Sequence, residues 1–182
     1  MFFVYPDFYE TENFQYLKIP KNASNTVVKI IEETMNYSTV TEKNSNKIKW
    51  TVIRDPYERF MSGLQYDLNR CNINLDEINL EECFNANWIN PANGLKGSIN
   101  HSSSQVPYLI NTEIDYYIDI KDLDIFLKIN FGKTLNLNKN TNKKELNLKK
   151  ELVMKYLNLD YSIYNFILTS PFLWKWQQGK IF

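Results

Sequence analysis

Histidine and cysteine are scarce in this chain. One histidine, His101, and two cysteines, Cys71 and Cys83, occur in 182 residues. So few ligands, so far apart, cannot build a zinc site. Two thiols do not make a disulfide framework. They are expected to stay reduced in a cytosolic protein, with a single bridge between them as the alternative. An excess of one charge is also missing: 21 basic residues balance 21 acidic ones. That argues against a general nucleic-acid binder and leaves room for a local basic pocket. No run approaches the roughly 18 apolar residues of a membrane span. The opening stretch MFFVYPDFYETENF has neither a basic n-region nor a small-residue cleavage site, so it does not read as a signal peptide. The expectation is a cytoplasmic protein with no metal centre, no membrane partner and no nucleic-acid partner.

What is present suits one globular domain over residues 1–182, with 43% hydrophobic and 15% aromatic residues. The chain is organised around Phe14 to Met35, FQYLKIPKNASNTVVKIIEETM. Leu17 and Ile19 alternate with Tyr16 and Lys18, the period of a strand. Pro20 lacks an amide hydrogen and ends the ladder. Val27, Val28, Ile30, Ile31 and Met35 fall at helical spacing. Between them lies the small polar turn Lys21-Asn22-Ala23-Ser24-Asn25-Thr26. Such a turn gathers backbone N–H groups at the positive end of a helix dipole, which favours an anion. Lys21 adds a charge, and Ser24 and Thr26 add hydroxyls. The plainer alternative is an ordinary strand-to-helix connection with a solvated lysine. The Walker A pattern G-x-x-x-x-G-K-[ST] is absent.

A second strand, Ile48 to Ile53 (IKWTVI), runs into Arg54-Asp55-Pro56-Tyr57-Glu58. Asp55 suits an N-cap, Pro56 the first helical position and Glu58 the third place of a capping box. Phe60, Leu64 and Leu68 then form the buried face of a helix. Arg54 stands at the carboxyl end of its strand, the edge where open α/β sheets bind ligands. Parallel strands would bring Lys21 and Arg54 to one rim. The alternative for Arg54 is a structural ion pair with Asp55 or Glu58, and Arg59 reads as that kind of structural residue. Residues 1–13 read as an edge segment covering the sheet, and residues 36–47 as a polar connection.

The segment LKIPKNASNTV resembles the 5′-phosphosulfate loop of the PAPS-dependent sulfotransferases, carbohydrate type. WTVIRDPYERFMSGL resembles that family's 3′-phosphate motif, with Arg54 and Ser62 at the family's spacing. His101 to Gln105 with Tyr108 resembles its H-x-x-x-Q segment. DYYIDIKDLDIFL (115–127) resembles its later strand-then-helix unit, and Lys155 to Tyr161 its Y-x-x-D-Y. Asn25 departs from the usual Ser or Thr, and Lys121 from the usual Glu.

The resemblance implies a single α/β domain with a mainly parallel sheet flanked by helices, in the P-loop-kinase-like sulfotransferase architecture. It implies a sulfuryl transfer from PAPS to a hydroxyl of a small-molecule or glycan acceptor. Lys21, Asn22, Ala23, Ser24, Asn25 and Thr26 would bind the 5′ end of the donor, and Arg54 and Ser62 its 3′-phosphate. Lys21 would stabilise the leaving phosphate. Arginine's planar fork suits a phosphate. His101 would be the general base, with Glu32, Glu33 or Glu42 as rivals. Glu32 and Glu33 also read as a solvated helix face, with Lys29 and Glu33 paired at i, i+4. Residues 70–100, with a short helix around Leu80 to Trp88, read as an acceptor lid bearing a Trp88 platform, or as a surface excursion anchored by Phe84 and Trp88. Lys139, Asn140 and Thr141 read as closing over the phosphates or as a solvated turn. A helix Lys143 to Leu157 reads as packing. The tail aromatics Phe172, Trp174, Trp176 and Phe182 are expected to dock on the domain or on a second subunit. Two other readings stand beside the transferase: a P-loop-like nucleotide kinase or nucleotide-binding protein, and a degenerate, non-catalytic binding module.

Overall fold

The two strand-turn-helix stretches set the architecture. The computed structural model describes residues 7–44, 46–72, 104–110, 112–135, 148 and 150–182. In chain order these form β1 (Phe8–Glu10), β2 (Phe14–Leu17), α1 (Ser24–Thr34), β3 (Ser38–Val40), β4 (Ile48–Ile53) and α2 (Pro56–Cys71). Then come α3 (Val106–Leu109), β5 (Tyr116–Asp119), α4 (Leu123–Phe131), α5 (Lys150–Tyr156), α6 (Asn158–Thr169) and a 3₁₀ turn, Trp176–Gln178.

The sheet has five strands in the order β3-β1-β2-β4-β5. β4 runs parallel to both β2 and β5, pairing Tyr16 with Trp50 and Ile53 with Asp119. β1 runs antiparallel to β2 and to β3. The expected mainly parallel sheet is therefore corrected to a mixed one. The physical reason is a tight turn: Thr11 N–H donates to the Phe14 carbonyl at 2.9 Å, and so short a link permits only an antiparallel neighbour. Two further readings are corrected with it. Residues 8–10 form an inner strand rather than an edge cover, and the stretch 36–47 contains the edge strand β3, where Thr39 and Val40 supply β-branched character.

Every residue of β2 is buried, although its sequence alternates. Both faces of the sheet are covered, as parallel strands require. On one face Phe14, Tyr16, Trp50 and Val52 pack with α1, α4 and Trp174. On the other, Leu17, Ile19 and Ile53 pack with Leu109 of α3 and with Tyr164 and Ile167 of α6. A third cluster joins Phe60, Leu64 and Leu68 of α2 to Val153 and Leu157. Each such buried side chain is worth about 1.5–3 kcal/mol.

The α2 start forms as its sequence requires: Pro56 is the first helical residue, and Asp55 Oδ1 accepts from Glu58 N–H at 3.0 Å. The reciprocal half of the capping box is replaced, because Glu58 faces Arg54 instead, at 3.5 Å. Lys29 and Glu33 pair at 3.7 Å, as their spacing predicts. The tail docks on its own domain. Trp174 N–H donates to the Tyr117 carbonyl at 2.9 Å, beside a parallel bridge from Leu173 to β5. That covers an otherwise open sheet edge. Trp174 is fully buried and the Phe182 ring packs at a tilt against Phe14, 4.4 Å between centroids, whereas Phe172 stays exposed. Among the described residues no helix is long and apolar enough to cross a membrane. Residues 73–100 of the proposed lid, with Cys83 and Trp88, lie outside the described residues, as do His101, Lys139 to Thr141 and the first part of the helix read from Lys143.

Candidate functional site

Pro20 ends β2, and the chain must turn within three residues to start α1. It does so without glycine. Lys21 and Ala23 both sit in the left-handed region, at φ 67° and 57°. For residues bearing a Cβ this costs roughly 1–2 kcal/mol each, so something must hold the turn. Asn22, fully buried between them, is the holder. Its Nδ2 donates to the Val52 carbonyl at 2.8 Å and to Gln105 Oε1 at 3.1 Å. Asn22 is thus a support of the loop rather than part of its open surface.

The loop's carbonyls are taken up from behind. Pro20 O accepts from Arg59 Nε at 3.1 Å and Lys21 O from Arg54 Nη1 at 3.2 Å. Ile19 O accepts from Asn22 N–H, and Ala23 O from the Thr26 and Val27 N–H groups. The N–H groups of Ala23, Ser24 and Asn25 have no backbone acceptor among the described residues. The engaged Ile19, Pro20, Lys21 and Ala23 carbonyls and the three amides without a backbone acceptor, at a helix N-terminus, make an arrangement that favours an anion. Ser24 is buried, Thr26 half-buried and Asn25 exposed.

The parallel pairing of β2 with β4 puts Arg54 beside this loop. Its side chain is only 16% exposed, and its Nε is buried without a hydrogen bond, the Glu58 carboxylate lying 3.5 Å away. Glu58, Ser62 and Tyr66 follow at four-residue steps and share one stripe of α2. Arg54 reaches the first of them, and Lys21 Nζ lies 3.6 Å from the centre of the Tyr66 ring. Ser62 therefore stands between the contact points of the two cations. Arg54's alternative as an ion-paired residue is also realised, since the same side chain serves both contacts.

Burial is the main cause that lowers the Lys21 pKa. Asp67 opposes the shift, while Arg59 and Arg54 add to it. Three cations thus act on one another here, and an arriving anion relieves that repulsion. Arg59 is buried, which pushes its guanidinium down to about 10 against the opposing charge of Asp160. Its bond to Pro20 makes it structural, as its sequence position suggests.

The carboxylates weighed as bases stand elsewhere. Glu32 and Glu33 lie in the last third of α1, roughly 12 Å beyond its start at 1.5 Å per residue. Glu33 faces Lys29 and Lys133, and Glu32 accepts from Tyr37. Glu42 is exposed, and its carbonyl accepts from Gln15 near the opposite end of β2.

Sequence reasoning gave no role to the residues that tie the site together. Gln105 is 1% exposed. Its Nε2 donates to the Arg54 carbonyl at 3.3 Å, and its N–H donates to Asp160 Oδ1 at 2.9 Å. Asp160 also accepts from Ser104 Oγ at 2.7 Å. One residue on, the Tyr161 hydroxyl lies 3.3 Å from the N-cap carboxylate of Asp55. The signal was present as the glutamine of H-x-x-x-Q and the aspartate of the Asp160-Tyr161 pair, but spacing alone does not say that these two meet. Compared with protein-family models, curated proteins and solved structures, the chain matches none of them.

Proposed function

We propose that this protein is a sulfotransferase that takes the sulfuryl group of PAPS to a hydroxyl acceptor, most simply on a carbohydrate. The observation that carries the reading is the joining of two anion-binding elements at one rim: the Lys21 loop with its free amides, and Arg54, bonded to the Lys21 carbonyl at 3.2 Å. A donor carrying a 5′-phosphosulfate and a separate 3′-phosphate needs two such elements. The residues present fit that group, since Arg54 keeps a buried Nε without a hydrogen bond and Ser62 lies on the same stripe.

PAPS supplies the sulfuryl group, which passes to the acceptor oxygen as its bond to the 5′-phosphate breaks. Lys21 and the Ala23, Ser24 and Asn25 amides hold negative charge at the 5′ side, where preorganised donors act without reorganisation. Thr26 stands at the same helix start. Arg54 and Ser62 take the 3′-phosphate. His101 receives the acceptor's proton, a role that rests on its place in H-x-x-x-Q. Two strand-turn-helix units on adjacent parallel strands, with helices on both faces, support the P-loop-kinase-like sulfotransferase architecture.

Calorimetric titration with PAP, the desulfated product, beside ATP and without magnesium tests the reading. PAP is expected to bind without metal and more tightly than ATP. Lys21→Ala and Arg54→Ala should each weaken it by about tenfold or more, the worth of a charge-assisted contact. Equal or tighter ATP binding, or a need for magnesium, would refute the proposal in favour of a kinase-like protein. No binding of either nucleotide would favour the non-catalytic module.

A further inference from the structure

Two anion holes serve one ligand only if their separation is fixed. The Lys21 loop is a left-handed turn made by residues that rarely adopt it, and Arg54 sits where its strand has just ended. Neither element is rigid by its own chemistry. Both are gripped by a third segment, which enters from a different part of the chain.

Gln105 is that grip. Its Oε1 accepts from Asn22 Nδ2 at 3.1 Å, inside the turn, and its Nε2 donates to the Arg54 carbonyl at 3.3 Å. Its own main chain is fixed by Asp160 of α6 at 2.9 Å, with Ser104 Oγ donating to the same carboxylate at 2.7 Å. All of these groups are buried or nearly so, and in a low-dielectric setting a bonded network polarises and stiffens. The path runs from α6 through Asp160 and Gln105 to both anion elements.

We infer that Gln105 is a positioning residue for the donor, holding the left-handed turn and the Arg54 main chain at the spacing that a ligand with two separated phosphates requires. The identity of that ligand rests on the PAPS reading; the bracket itself does not. Gln105 acts through Asn22 and Arg54, without touching the donor. Gln105→Glu keeps the shape and the acceptor for Asn22 but opposes a carboxylate oxygen to the Arg54 carbonyl. Gln105→Met keeps the bulk and loses both bonds. Ser104→Ala is the control, because it removes a bond to Asp160 without freeing either anion element.

The experiment combines PAP titration with amide exchange of the ligand-free protein, at a temperature where circular dichroism shows each variant folded. Both Gln105 variants should bind PAP at least about tenfold more weakly than wild type, Gln105→Glu through one lost buried contact and Gln105→Met through two. The Asn22 and Thr26 amides, which bond to the Ile19 and Ala23 carbonyls, should exchange at least about tenfold faster in both variants. Ser104→Ala should lower the melting temperature while leaving both readouts near wild type. If Gln105→Met does not fold, the isosteric Gln105→Glu carries the test. Unchanged exchange and unchanged PAP affinity in a folded Gln105 variant would overturn the inference. So would equal losses in Ser104→Ala, which would reduce Gln105 to general stability. Wild type that fails to bind PAP, with exchange still accelerated in the Gln105 variants, would sink the sulfotransferase reading and keep the bracket.

Discussion

Replacing Asp160 by alanine tests the network under the site most severely. Asp160 is 4% exposed and accepts hydrogen bonds from Ser104 Oγ and Gln105 N–H. It is also the foremost charge opposing the lowered pKa of buried Arg59. A buried hydrogen bond to a charged acceptor is worth about 1.5–3 kcal/mol, and the lost favourable field of Asp160 on Arg59 adds to that. Asp67 still acts favourably on Arg59, which limits that addition. Two donors lose their acceptor, and Gln105 N–H has no route to water without local opening. The expected loss is about 3 kcal/mol, a large part of the roughly 5–15 kcal/mol that holds such a domain together. Urea unfolding of the variant would read it as a lower midpoint at unchanged slope. A double-mutant cycle sharpens the test. Ser104→Ala alone should cost about 1–2 kcal/mol and clearly less in the Asp160→Ala background, where its acceptor is already gone and only its bond from Val106 N–H, at 3.0 Å, is left to lose. A loss below about 1 kcal/mol for Asp160→Ala, or additive losses in the cycle, would refute the reasoning.

Other outcomes follow from single features. Ala23→Gly relieves a positive φ at 57° and should stabilise the fold by up to about 1 kcal/mol in thermal unfolding, whereas the β-branched Ala23→Val should destabilise it. Asp55→Ala removes the α2 cap and the partner of the Tyr161 hydroxyl, for a loss of about 1–2 kcal/mol in urea. Lys21 has its pKa lowered from the usual 10.5, so the folded state binds fewer protons than the unfolded one between the two values. Stability should therefore rise with pH through that window, while PAP affinity should fall there as the ammonium is lost. Measured above the phosphate's own titration, roughly pH 8 upward, Lys21→Arg should show a flat affinity where wild type declines.

How far the chain could be read depended on the range of the forces involved. Local chemistry was legible. β4 spans Ile48–Ile53, α2 starts at Pro56 under an Asp55 cap, and its buried face is Phe60, Leu64 and Leu68. Each of these follows from neighbours within one turn of chain, through propensity, capping and apolar spacing. Lys21 and Arg54 at one rim was legible too, because two strand-turn-helix units in a parallel pair leave little choice.

Tertiary structure decided the rest. β1 became an inner strand and β3 an edge because the short turn after Glu10 forces an antiparallel pairing, and such pairing depends on which edge lies open. β2 is buried on both faces although its sequence alternates, because helices from distant parts of the chain cover each side. The Lys21–Ala23 turn contains no glycine, and nothing local explains how Lys21 and Ala23 hold positive φ. Asn22 does it through Val52, 30 residues away, and Gln105, 83 residues away. The amino-acid sequence by itself determined the local elements and where two cations could stand. The long-range hydrogen bonds, formed only when water is excluded from the packed interior, determined how those cations are held.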